Sequence, residues 1–83
     1  MQRKGIKTRI LTDIAGFFQV DVQTLSEKDD LILDHRVDSL DILRLIVFLE
    51  KKYSIRYDMM RYRNFTSISL IVDETLKLLG NNG

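Results

Sequence analysis

Asp38-Ser39-Leu40-Asp41-Ile42-Leu43-Arg44-Leu45-Ile46-Val47-Phe48-Leu49-Glu50-Lys51-Lys52-Tyr53 is the stretch on which the reading of this chain turns. Ile42, Leu45, Ile46, Leu49 and Tyr53 recur at i, i+3, i+4, i+7 and i+11, the spacing of one helix face. Asp38 is a good N-cap residue, and Asp41 three residues on resembles a capping box. Lys51 and Lys52 fall in the last turn, where the helix dipole favours cations. The spacing therefore predicts an amphipathic helix over residues 38–53. It also turns Leu40, Arg44, Val47 and Lys51 to an outward face shared by all four.

Working outward, residues 6–18 repeat the pattern. Ile6, Ile10, Leu11, Ile14, Phe17 and Phe18 form an apolar stripe, and Gly16 weakens the helix near its end. Residues 19–37 show no clear period. A strand over Leu31–Leu33 has no partner elsewhere, so the segment reads as a long connection pinned by Leu25, Leu31 and Leu33. Beyond the central helix, Asp58-Met59-Met60-Arg61-Tyr62-Arg63 fits a short helical turn capped by Asp58, with Met59 and Met60 as packing residues. Ile68, Ile71, Val72, Leu76 and Leu79 stripe a last helix over residues 66–79, capped by Thr66 or Ser67 and stopped by Gly80. The expectation is an all-α fold: a small four-helix bundle of three longer helices and one short one. Residues 1–5 form a flexible N-terminus, 6–79 the folded domain and 80–83 a flexible C-terminus.

Composition narrows the function. At 83 residues the chain makes one domain with a modest core. No apolar run is long enough to span a membrane, and no apolar segment follows the basic start, so neither membrane insertion nor a secretory signal is expected. There is no cysteine, which excludes disulfides and any intrinsic thiol chemistry. Thirteen basic and twelve acidic residues nearly balance, which argues against nucleic-acid binding. The cluster Arg56, Arg61 and Arg63 reads as a wet surface or a docking patch. His35, Asp38 and Ser39 lie close in sequence, but a hydrolytic triad is a matter of tertiary geometry and oxyanion donors, and nothing in the pattern supplies them. His35 reads as a solvated loop residue.

Ser39 is the residue that bears on chemistry. A serine in the first turn of a helix sits beside unpaired backbone N–H groups and the positive end of the dipole, a natural seat for a phosphate. Its surroundings, Asp34-His35-Arg36-Val37-Asp38-Ser39-Leu40-Asp41 running into a helix that ends Leu49-Glu50-Lys51-Lys52-Tyr53, resemble the acyl carrier protein family. The family's hallmark is an Asp-Ser-Leu triplet at the start of its second helix. Leu31 and Asp34 stand where it has an apolar residue and an aspartate, and Asn64-Phe65-Thr66-Ser67-Ile68 looks like its usual lead into the last helix. The resemblance covers residues 6–79.

The resemblance implies that Ser39 carries a covalent 4′-phosphopantetheine from coenzyme A, whose arm supplies the thiol the chain lacks. It implies that Asp38 caps the helix and helps a phosphopantetheinyl transferase and its metal engage the site. Acyl-loading, condensing or acyl-transfer enzymes would be the partners, and fatty-acid, polyketide or specialised lipid biosynthesis the setting. Leu40, Asp41, Arg44, Val47, Lys51 and Arg56 are the candidate partner contacts, and Ile46, Leu49, Phe65 and Ile71 the candidate walls of an acyl pocket. A monomeric, cytoplasmic carrier with no catalytic residues and no metal of its own is expected. An aminoacyl or peptidyl carrier, and an unmodified interaction domain, share the same fold.

The chain departs from the family in two places. The family has Leu-Gly where His35 and Arg36 stand, which implies a different loop path, because arginine lacks glycine's backbone freedom. Many members have a strongly acidic second helix, whereas Arg44, Lys51 and Lys52 here offset Asp38, Asp41 and Glu50. That balance implies poor docking with enzymes built for acidic carriers.

Overall fold

The computed structural model describes residues 2–58 and 65–80. Among these, α1 spans Arg3–Phe18, α2 Leu31–His35, α3 Ser39–Tyr53 and α4 Ile68–Gly80, with a 3-10 turn at Val22–Thr24. The described residues form no strand, and the architecture is a small helical bundle with three longer helices, as expected. The turn of helix expected over 58–63, with Met59, Met60, Arg61 and Arg63, lies outside the described residues apart from Asp58, which is not helical.

Each long helix buries most of the face its spacing marks out. Ile6, Ile10 and Ile14 of α1, Leu45 and Leu49 of α3, and Ile68, Ile71 and Val72 of α4 are fully enclosed in one core, to which Leu25, Leu31, Tyr57 and Phe65 also belong. Burying a side chain of this size stabilises by roughly 1.5–3 kcal/mol. α1 packs chiefly on α4 and also on α3. The last helix keeps Leu76 and Leu79 only partly covered and buries Thr75 instead. The Thr75 hydroxyl donates to the Ile71 carbonyl at 2.6 Å and shares a 2.6 Å hydrogen bond with the Tyr57 hydroxyl. Burial pushes the Tyr57 phenol up to about 12, so it stays a neutral hydrogen-bonding group.

The boundaries shift in physically readable ways. α1 starts at Arg3, inside the segment expected to be frayed, and Arg3 reaches Glu27 at 2.8 Å and Asp73 at 2.7 Å. Ser67 caps α4, its hydroxyl accepting the Leu70 N–H at 3.3 Å, and Gly80, where the described residues end, is itself helical instead of a stop beyond the helix.

The connection 19–37 is the main correction. It is not without regular structure, because Leu31–His35 form the short helix α2. Asp30 caps α2 by accepting the N–H groups of Ile32 and Leu33, and Asp34 accepts the Asp30 N–H at 2.7 Å in return. Asp30 also accepts the Thr66 hydroxyl at 2.7 Å, and paired backbone bonds link Leu31 to Thr66 and Ile68 to Asp29. A single antiparallel bridge, Asp30 with Ser67, thus ties α2 to the start of α4. Leu25 and Leu31 are buried pins, but Leu33 is 82% exposed and pins nothing.

Candidate functional site

The approach to Ser39 is built by the end of α2. Arg36 closes that helix in the left-handed conformation, with φ 55° and ψ 34°. The Arg36 N–H donates to Ile32 O at 3.1 Å and the Val37 N–H to Leu31 O at 3.0 Å. This is the reversal a glycine would make without strain. Arginine makes it here. Val37 then packs against the core, and Asp38, in extended conformation, leads into α3.

Ser39 is the first residue of α3 and is exposed. Asp38 stands at the N-cap position, and its carbonyl accepts the Ile42 N–H at 3.0 Å. The capping bond expected from its side chain is not formed, and the capping box with Asp41 is absent too. The Asp41 carboxylate sits 3.8 Å from Arg44 instead. The first-turn N–H groups beside Ser39 therefore face outward without an intrahelical acceptor or a side-chain cap. An exposed hydroxyl at such an end can carry an anionic group in a favourable field.

His35 is not a solvated loop residue. It ends α2, a quarter exposed, with Nε2 2.8 Å from an Asp29 carboxylate oxygen. That bond, followed by the Ser26 N–H, holds the Asp29 carboxyl below the usual range. The His35 ring is thus engaged with Asp29 rather than with Ser39.

Along α3, Leu40, Arg44, Val47 and Lys51 are exposed as the spacing requires, Asp41 is half-buried, and Arg56 is exposed beyond the helix. The spacing did not mark Leu43, although it continues the row from Leu40 three residues earlier, and it is exposed too. Phe48 is about a third exposed and meets the Phe17 ring at 5.3 Å. Phe17, Leu43 and Val47 line an apolar dent with Arg44 at its edge. Ile46, Leu49, Phe65 and Ile71 come together inside the core, each at most 2% exposed.

A separate hollow of about 260 Å³ opens beside the start of α3. Phe18, Val20, Leu25, Leu31 and Val37 contribute its apolar lining, with His35, Arg36 and Asp41 alongside. Its walls come from three separate segments, so no local pattern announces it. At the far end of α3 the buried carboxylate of Asp13 accepts hydrogen bonds from the Tyr53 hydroxyl and the Lys52 ammonium. Among the described residues, no group of acidic, histidine or cysteine side chains could hold a metal ion, and no helix is long and apolar enough to cross a membrane.

The model of the family described as phosphopantetheine attachment site matches residues 8–74, most of the chain. No curated protein matches it. The matched span runs from the first turns of α1 into α4 and contains the whole approach to Ser39. The chain belongs to the phosphopantetheine attachment family, carrier domains that hold a covalent 4′-phosphopantetheine and are not themselves catalytic.

Proposed function

We propose that this protein is an acyl carrier protein with its phosphopantetheine on Ser39. The observation that carries the reading is an exposed hydroxyl in an Asp-Ser-Leu triplet, at the first residue of a helix whose leading N–H groups are left open. A phosphodiester there gains from the helix dipole by roughly 0.3–1 kcal/mol. The arm supplies the thiol that a chain without cysteine needs to hold a thioester. Ser39 needs no activating base of its own, because a phosphopantetheinyl transferase performs the attachment from coenzyme A. Asp38, whose carboxylate is not engaged as a cap, is free to meet that transferase.

Leu40, Val47 and the nearby Leu43 offer an apolar contact to acyl-loading, condensing or acyl-transfer enzymes, rimmed by Asp41, Arg44, Lys51 and Arg56. Three cations against one carboxylate on that rim favour partners with acidic docking surfaces and disfavour enzymes built for acidic carriers. The cargo is an acyl intermediate of fatty-acid, polyketide or specialised lipid synthesis in the cytoplasm. Ile46, Leu49, Phe65 and Ile71 are the walls an acyl chain would meet, and since they are close-packed it enters only by parting the helices.

Incubation with a phosphopantetheinyl transferase and coenzyme A, followed by intact-mass measurement, tests the reading. The wild type gains the mass of one arm and Ser39→Ala gains none. A wild-type chain that stays unmodified with every competent transferase contradicts it.

A further inference from the structure

The hollow beside α3 lies within reach of anything tethered to Ser39. Val37 and Asp41, two residues to either side of that serine, both line it, and so does Arg36. Three consecutive residues, His35, Arg36 and Val37, line one space. A regular helix or strand cannot do this, because successive side chains diverge. The left-handed backbone at Arg36, φ 55°, makes it possible.

The chemistry of the walls is specific. Phe18, Val20, Leu25, Leu31 and Val37 offer an apolar floor. Arg36 adds a cationic donor group and Asp41 a carboxylate acceptor. Arg36 is exposed and makes no ion pair among the described residues. Phosphopantetheine has the matching layout: a phosphate at its root, a dimethyl-substituted carbon close by, then two amides that each donate and accept. The volume, about 260 Å³, is close to the lower end of small-molecule sites, roughly 300 Å³. It suits the arm better than a long acyl chain.

The geometry points to this hollow as the resting place of the protein's own pantetheine arm, with Arg36 on the phosphate and the dimethyl group over Phe18 and Val20. The inference rests on the carrier reading above. It adds that the arm folds back onto the end of α1 and the connection after it, away from the close-packed residues Ile46, Leu49 and Ile71.

Methyl-labelled protein compared before and after attachment of the arm by transferase and coenzyme A tests this. Attachment is verified by intact mass in the same samples. The expected result is nuclear Overhauser contacts from the arm's dimethyl group to the methyls of Val20, Leu25 and Val37, with the dimethyl resonances moved upfield by the Phe18 ring. Val20 lines the hollow and is already 44% exposed, so Val20→Arg fills it without emptying the core. That variant should accept the arm yet lose those contacts and the upfield shift. Full attachment with the arm free in solvent, or with contacts only to Ile46, Leu49 and Ile71, overturns the inference and leaves the carrier reading standing. Absence of attachment overturns both.

Discussion

The two ends of α3 are built on opposite terms. At the C-terminal end, Tyr53 and Lys52 both bind the buried carboxylate of Asp13 on α1, and Glu50 accepts the Tyr57 N–H at 2.8 Å. At the N-terminal end, about 21 Å away at 1.5 Å per residue, Ser39 and Asp38 are exposed, the first-turn N–H groups have no side-chain cap, and Leu40 and Leu43 face outward. One end is locked by long-range polar bonds and the other is left available. The tether proposed at Ser39 needs both: a helix held still at one end and groups unspent at the other.

If that contrast is real, Asp13→Ala should do the most damage. It leaves a partly buried tyrosine hydroxyl without its acceptor, and the Tyr53 phenol, pushed up by burial and by Asp13, can only answer as a neutral donor. A loss of about 2–3 kcal/mol in urea unfolding is expected. Attachment at Ser39 should persist in the fraction that stays folded.

The segment behind the open end comes next. Asp30→Ala removes the α2 cap and the Thr66 bond together, and about 1–2 kcal/mol should be lost in the same assay. The matching pH effect has a defined sign. Asp30 is held low by the N–H of Leu33, then by Thr66 and Ile32, and Asp29 by His35 and Ser26. Both carboxyls are lower when folded than their unfolded value of about 3.9. Their contribution is therefore present above that pH and lost as pH falls through the folded values. A thermal melt should be level near neutrality and drop below about pH 4, less steeply in Asp30→Ala.

Smaller effects probe the open end itself. Arg36→Gly relieves a left-handed backbone costing roughly 1–2 kcal/mol, against roughly 0.5–1 kcal/mol of added chain entropy. A net gain of about 0.5–1 kcal/mol is expected as a higher denaturant midpoint. Asp38→Ala should change stability by less than about 0.5 kcal/mol, because its side chain caps nothing. A loss near 1 kcal/mol, usual for a working N-cap, would show that this end is closed after all.

The sequence carried some of this contrast and hid the rest. The apolar faces of α1 and α3 could be read because a helix repeats its pattern over several turns, and Ser39 because its triplet opens such a helix. α2 has five residues, too few to show a period. Its signals were Asp30 and Asp34, a cap and its reciprocal partner, inside what read as a long connection without regular structure. Asp13 sits on the buried side of α1 because of residues about 40 positions away, and nothing local foretells that. Leu33 was misplaced because an apolar residue in a short helix has no stripe to assign its face. Asp38 was expected to cap because aspartate there usually does, and the side chain's actual rotamer is not written in residue type. The hollow beside Ser39 needs α1, the connection, α2 and the start of α3 to meet, so only the fold reveals it.

The most direct test is to map where the arm attaches. The chain has five serines: Ser26, Ser39, Ser54, Ser67 and Ser69. After treatment with transferase and coenzyme A, fragment masses should place a single phosphopantetheine on the peptide containing Ser39 and on no other. An arm on a different serine, or on none, would contradict the account.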